Sequence, residues 1–243
     1  MTQTRDALWR GRVGLWQPDR GHGYRFNLDP VLLSGFFSGG GHVLDLGTGC
    51  GVLGILLLRS GKARRVTAVE IQPELAELAR RNAVDNGLGD VFEVVVGDLR
   101  EVELPTVDAA VLNPPYFSAG SGRGSPNPGR DAARHERHGT LDDFIAVAAR
   151  QVAGMGPVAA VLPAARHGDL DGALGRCSLG GQRWRWVRPR VATPRHLVMV
   201  EARSGARELC QEPDLVVHDE AGGFLEEVRG WVEGPDGAGE AGS

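Results

Sequence analysis

His42-Val-Leu-Asp-Leu46, then Gly47-Thr-Gly-Cys-Gly51, then Val52-Leu-Gly-Ile-Leu-Leu-Leu-Arg59 is the stretch that decides the fold. The first piece is a short apolar run and reads as a buried strand. The second is a tight loop whose glycines let the backbone approach a ligand. The third reads as an apolar helix with free N–H groups at its start. Strand, glycine loop and helix in succession open an α/β sheet that binds ligands at the carboxyl ends of its strands. Gly49, Gly51 and Gly54 also satisfy G-x-G-x-x-G, and that match alone is weak. Asp45, two residues before Gly47, separates the readings. A carboxylate there repels a pyrophosphate but accepts hydrogen bonds from an amino group. Cys50 reads as a small filler of the loop.

The next strands repeat the pattern. Arg65 to Glu70 is strand two, and Glu70 stands about 20 residues after the glycines, where an acid takes ribose hydroxyls. Pro73 opens a helix that runs to Asn86, with Gly87 as its stop. Val91 to Val96 is strand three, followed by Gly97-Asp98-Leu99. Val107 to Leu112 is strand four, and Asn113-Pro114-Pro115-Tyr116 follows at its carboxyl end. Two successive prolines fix φ and hold Asn113 extended, so its side chain is presented rather than folded into a helix. The Asn113 side-chain oxygen and the Pro114 carbonyl then form a rigid pair of acceptors beside the Tyr116 ring. That arrangement suits a planar group bearing an NH2. Its lone pair is conjugated, and two acceptors on its hydrogens stabilise the charge that develops during attack.

A chain of 243 residues, 42% apolar and 24% charged, can bury one substantial core. No run approaches the ~18 apolar residues of a membrane span, and Met1 to Asp6 lacks the apolar core of a signal peptide. Cys50, Cys177 and Cys210 are far apart and odd in number, so neither a disulfide framework nor a metal site is expected, and a cytoplasmic protein is. The net charge of -4 hides an asymmetry. Arg207 to Ser243 holds ten acids and two arginines, a balance of -8, which leaves +4 for residues 1–206. A mildly basic body with an acidic tail is compatible with a nucleic-acid partner, and equally with ordinary solvated faces.

The flanking segments read as follows. Residues 8–17 alternate with period two and contain glycines, which predicts a short hairpin. Asn27 or Asp29 caps a helix with Pro30 just inside its start, running Val31 to Phe37. The 14 residues from Phe117 to Arg130, and then Asp131 to His138, form a long loop at the site mouth. Arg123, Arg130, Arg134 and Arg137 are its candidate RNA contacts, with Arg10 and Arg12 of the hairpin adding to them. Thr140 caps a helix, Leu141 to Ala153. Pro157 to Leu162 is strand five, and Ala164 to Cys177 a helix. Gln182 to Arg188 alternates, with Arg183 and Arg185 on one face and Trp184 and Trp186 on the other. Arg195 to Arg203 is the last core strand. The expected division is a hairpin and lid segment over 1–40, a catalytic domain over 41–206, a C-terminal appendix over 207–234 and a disordered tail over 235–243.

Asp45 with the Gly47-Gly49-Gly51 loop resembles the S-adenosyl-L-methionine loop of class I methyltransferases. That resemblance implies an α/β Rossmann-like fold, a mostly parallel seven-stranded sheet with helices on both faces and the last strand antiparallel. It also implies cofactor contacts at Asp45, Gly47, Gly49, Gly51, Glu70, Ile71, Asp98, Leu99 and Asn113. Asn113, Pro114, Pro115 and Tyr116 would carry the chemistry, without a metal. The whole ordered chain is similar to the bacterial tRNA(Val) N6-adenine methyltransferases, through Tyr24 to Leu33, Asp45 to Gly51, Val69 to Glu74, Asn113 to Phe117 and Ala133 to Glu136. This implies S-adenosyl-L-methionine as cofactor, tRNA as partner, an anticodon-loop adenine as acceptor and no membrane association. Asn-Pro-Pro-Tyr serves amides as well, so a glutamine N5-methyltransferase of release factors is the alternative, as is another rRNA or DNA N6-adenine methyltransferase. A non-catalytic dinucleotide-binding module is the reading from another class.

Overall fold

The parallel strands are largely apolar runs, and all but the edge strand are covered on both faces. In the computed structural model, which describes residues 3–19, 27–114, 139–205 and 210–235, these are β3 (His42–Leu46), β4 (Arg65–Glu70), β5 (Phe92–Val96), β6 (Ala109–Leu112) and β7 (Val158–Pro163). They are parallel in the order β5-β4-β3-β6-β7. β9 (Leu197–Ser204) then lies antiparallel between β7 and β8 (Leu179–Arg188). These seven strands, mostly parallel and with β9 antiparallel, are the expected ones, but the sheet has nine. Two short ones, β10 (Cys210–Gln211) and β11 (Leu215–Val216), pair in parallel along the outer edge of β8.

Period-two alternation sorts the strand residues between two cores. Val43, Val111, Ala159 and Val161 point to one cluster, and Leu44, Leu112, Ala160 and Leu162 to the other. α2 (Val52–Arg59) and α3 (Pro73–Asp85) cover the first face; α4 (Leu141–Gln151) and α5 (His167–Arg176) cover the second. Thr140 begins α4 with a capping box: its hydroxyl accepts from the Asp143 N–H, while the Asp143 carboxylate accepts from the Thr140 N–H at 2.8 Å.

The hairpin arms are β1 (Gln3–Leu8) and β2 (Val13–Pro18), so the turn falls where residues 8–17 placed the first strand. The turn carries Trp9 and Arg10 at positive φ, 53° and 56°, without the Asn-Gly signal that marks most such turns. β2 docks on α3 through side-chain amides. The Asn82 amide accepts from Trp16 N–H at 2.7 Å and donates to Trp16 O at 2.9 Å. Asn86 pairs in the same way with Gly14 at 3.2 and 2.7 Å. Two asparagines four apart on one helix face thus satisfy alternate residues of a strand edge, as a neighbouring strand would. α1 (Asp29–Phe36) starts at Leu28 rather than at a capping side chain; Asn27 instead accepts from the Asp29 N–H at 3.0 Å.

α6 (Glu226–Glu233) closes the chain against the N-terminal segment. Val228 is fully buried in the same cluster as Trp9, Leu33 and Leu215. Arg10 and Arg12, expected as RNA contacts, are engaged here: Arg10 pairs with Glu233, and Arg12 donates to the Glu233 and Pro235 carbonyls, both at 2.8 Å. A Cβ on Gly35 of α1 would lie 2.0 Å from Trp231 Cδ2. Gly35→Ala should therefore push α6 off α1 and lower stability by ~1–3 kcal/mol in urea unfolding. An unchanged midpoint would show that α6 is not seated on α1.

Candidate functional site

The carboxyl edge of the parallel strands brings the sequence-predicted residues together. Leu46 is in register with Leu112 and Val69, so Gly47, Asn113 and Glu70 follow one another along that edge. Gly47, Gly49 and Gly51 take φ of 70°, 59° and 88°, which only glycine adopts without strain. Gly47 and Thr48 donate to Val69 O at 2.9 and 3.0 Å, and this bends the loop over β4.

Two buried carboxylates hold the loop from below. Asp45 Oδ2 accepts from the Thr48 hydroxyl at 2.6 Å and from the Gly54 N–H at 3.2 Å. Glu70 accepts from the Gly49 N–H through Oε2 and from the Gln72 N–H through Oε1, both at 2.9 Å. Burial pushes the Asp45 carboxyl up to about 6; the Thr48 and Gly54 hydrogen bonds oppose this, and the Glu70 charge adds to it. Burial raises Glu70 as well, against the N–H groups of Gln72 and Gly49. Asp45, Gly47, Cys50 and Asn113 line one shallow cleft, which Pro30 at the start of α1 also borders. An acid-floored cleft that strains toward protonation is matched by a ligand bearing a positive charge, and it disfavours a pyrophosphate.

Other positions lie differently from the expectation. Glu70 turns both carboxylate oxygens back to the backbone, so it fastens the glycine loop as well as facing the edge. Asp98 follows β5, but Arg100 grips its carboxylate at 2.9, 3.1 and 2.5 Å and holds it below the usual carboxylate range. Leu99 is buried in the α4 and α5 cluster, and Ile71 is half-buried after β4. Pro114 is buried beside Asn113. Pro115, Tyr116, Arg123, Arg130, Arg134 and Arg137 lie outside the described residues, as do Tyr24 to Phe26 and Ala133 to Glu136. Among the described residues, no cluster of three His, Cys, Asp or Glu side chains has metal-holding geometry, and no helix is long and apolar enough to cross a membrane.

Sequence reasoning passed over Thr48, Pro30 and Asn82. Asn82 is fully buried and donates to Cys50 O at 2.8 Å, linking the glycine loop to the hairpin. Its signal was present: a polar residue on the α3 stripe otherwise made of Leu75, Leu78, Ala79 and Ala83.

Comparison with known proteins places the chain. The family described as Methyltransferase small domain matches residues 30–124. A protein of Shewanella amazonensis named tRNA1(Val) (adenine(37)-N6)-methyltransferase is 30% identical over 223 residues, 86% of this chain and 90% of that protein. This chain belongs to that family. A Porphyromonas gingivalis member of the tRNA1(Val) (adenine(37)-N6)-methyltransferases is 33% identical over 135 residues, and there the match spans about half of each chain, 53% and 52%. The crystal structure of an Agrobacterium tumefaciens protein described as a predicted O-methyltransferase superposes with a TM-score of 0.68 at 23% identity, over 84% of this chain and 94% of that one. At that identity the likeness establishes the fold alone.

A carboxyl whose folded pKa exceeds its unfolded value is held as the acid more tightly by the folded chain. The stability it contributes is present at low pH and is lost as pH rises from 3.8 to about 6. Carbon-13 NMR of the Asp45 carboxyl in the protein alone should therefore titrate near 6. A midpoint near the ordinary value of ~3.9 would show a solvated group and overturn the description of the cleft floor.

Proposed function

We propose that this chain transfers a methyl group from S-adenosyl-L-methionine to N6 of an anticodon-loop adenine in tRNA, in keeping with the adenine 37 that its relatives' names give. The observation that carries the reading is that Asn113, at the end of β6, lines the same cleft as the Asp45 carboxylate. One side of the cleft suits a cationic cofactor, and the other presents acceptors to an amino group.

Bound S-adenosyl-L-methionine supplies a methyl group on a positively charged sulfur. Asp45 Oδ1, to which neither Thr48 nor Gly54 donates, faces the amino group of the methionine portion. Glu70 offers its remaining lone pairs to the ribose hydroxyls, with Ile71 alongside. Asp98 takes the cofactor's adenine amine while sharing its charge with Arg100, and Leu99 backs that end of the cleft. The glycine loop brings the backbone close between them. Asn113 and the Pro114 carbonyl accept the two N6 hydrogens of the substrate base. That aligns the nitrogen and stabilises the positive charge it acquires as the methyl arrives. Pro115 keeps these acceptors rigid, and Tyr116 stacks on the base. Transfer is a direct displacement with no covalent enzyme intermediate. N6 of a stacked adenine cannot reach a cleft at a strand end, so the base is splayed out, which a loop permits most easily. Arg123, Arg130, Arg134 and Arg137 take phosphates around it.

Asn113→Ala should slow single-turnover methylation of tRNA by ~100-fold or more while cofactor binding survives. A near-normal rate would refute its role. Purified protein with labelled cofactor should label total tRNA and not release factor; label in release factor alone would make the chain a glutamine methyltransferase. Cofactor affinity should fall about tenfold for each pH unit below the Asp45 pKa, because a protonated Asp45 must release its proton to meet the ligand's cation. Asp45→Asn should flatten that dependence in calorimetry.

A further inference from the structure

The carboxyl edge continues past Asn113 to a second built feature. β7 ends at Pro163, in register with Leu197 at the start of β9, and Leu197 is paired with Val187 near the end of β8. The β8–β9 loop, residues 189–196, therefore stands on the same edge as the cleft. With strands ~4.8 Å apart, it begins about 10–15 Å from Asn113 on the side away from the glycine loop.

This loop is held in one shape. Ala164 N–H donates to His196 O at 2.8 Å and ties it to the end of β7. The Thr193 hydroxyl donates to Arg190 O at 2.7 Å and accepts from the Arg190 N–H at 2.9 Å. Arg188 donates to Thr193 O at 2.6 Å.

Within it, one guanidinium is fixed in both position and plane. Arg195 makes two parallel bonds to Asp214, each 3.0 Å, and lies over the Trp186 ring at 4.7 Å. Trp186 is backed in turn by the His167 ring at 4.9 Å, and His167 packs edge-on against the buried Trp184 at 4.7 Å. The pile thus runs from the core to the surface and ends in the Arg195 side chain, 38% exposed. Charge alone does not account for this construction. Asp214 already balances part of Arg188 and Arg195, and the turn after β11 adds Asp219 and Glu220. What the arrangement presents to solvent is a rigid, delocalised cationic plane, a surface on which an unstacked nucleobase continues the pile.

We propose that the Arg195–Trp186 pile is a docking shelf for RNA, stacking an unpaired base that lies a few nucleotides from the adenine held at Asn113. The inference rests on the tRNA reading above and deepens it. A splayed-out target leaves its neighbours unstacked, and a shelf at this distance recovers the stacking they lose. The shelf also sets which side of the loop faces the cleft.

The test uses the full chain, an anticodon stem-loop RNA and two variants, Arg195→Ala and Arg195→Lys. Arg188 still meets Asp214 in both, so the carboxylate keeps a partner. RNA affinity by anisotropy should weaken about fivefold or more in each variant, in line with the loss of one stacked base. Lysine should not rescue it, because it restores charge without the plane. A 2-aminopurine placed in turn at each loop position should be quenched by the parent at one position and not by Arg195→Lys. Cofactor affinity and thermal midpoint should be unchanged. Full rescue by lysine, or parental affinity and quenching in both variants while the parent methylates the RNA, would overturn the shelf and leave the methyltransferase reading intact. Absence of RNA binding and methylation by the parent, with label in release factor instead, would overturn both.

Discussion

Two carboxylates out of water at one strand edge are the constraint on which the rest of the structure depends. Asp45 and Glu70 are almost fully buried; Asp45 is met by the Thr48 hydroxyl and a first-turn N–H of α2 at Gly54, and Glu70 by the N–H groups of Gly49 and Gln72. Positive φ at Gly47, Gly49 and Gly51 bends the loop so that the Gly49 N–H meets Glu70. Gly54 answers the same demand on the helix side: a Cβ there would come within 2.7 Å of Phe92 and 3.2 Å of Asp45 Oδ2, so α2 sits close only because the side chain is missing. The bonds hold the carboxylates in place without fully compensating their burial, as the raised Asp45 and Glu70 pKa values indicate. The folded protein alone therefore keeps an electrostatic deficit that a positively charged ligand relieves.

Keeping that edge dry and rigid falls to the two ends of the chain. The hairpin closes over α3 through Asn82 and Asn86, and Asn82 also reaches the glycine loop. α6 lies on α1 and is clasped by Arg10, Arg12 and Trp9. Lys62, the one lysine in the sequence, donates to the last-turn carbonyls Ser34 O and Gly35 O of α1 at 2.8 and 2.6 Å. Burial pushes its amine down to about 8. The start of α1, with Pro30, reaches the cleft, so the position of the cleft wall is set by packing at the opposite end of that helix. The N-terminal segment and the C-terminal helix share one hydrophobic cluster with the sheet.

The inner parallel strands were legible because burial on both faces writes a largely apolar run, and the glycine loop because its backbone geometry admits few other residues. The cap at Thr140 was legible from its hydroxyl in front of an apolar helix pattern; the returning Asp143 carboxylate was not. β10 and β11 were not: two residues carry no periodicity, and their pairing is decided by Arg183 and Arg188 reaching Glu212 and Asp214 across the edge. The hairpin register was misplaced because its turn is made by Trp9 and Arg10 at positive φ, held by tertiary contact with α6 rather than by turn chemistry. At the candidate site, sequence spacing located Asp45, Glu70, Asp98 and Asn113 on one edge but not what each already holds. Arg100, two residues after Asp98, occupies a carboxylate that spacing had left open. Arg195, Trp186 and His167 escaped notice as a unit because they meet only when β8, β9 and α5 pack.

On the proposed reading, the likeness in fold to a protein described as an O-methyltransferase and the relationship to N6-adenine enzymes are not in conflict: the shared fold would hold the cofactor, and the acceptor would be chosen one strand further on. A hydroxyl acceptor must lose its proton before or during attack, which calls for a base beside it. An adenine amine needs no such base: its nitrogen attacks while still carrying both hydrogens and sheds one afterwards. What it needs is hydrogen-bond acceptors that stay put as charge grows. An amide and a proline carbonyl are suited to that and to little else, since neither takes up a proton at neutral pH. Asp45, which lines the same cleft, is tied to Thr48 and Gly54. On the proposed reading, the placement of Asn113 and Pro114 at the end of β6, with no side-chain base required between them and the acceptor, is what turns a general methyl-transfer fold toward an amino group.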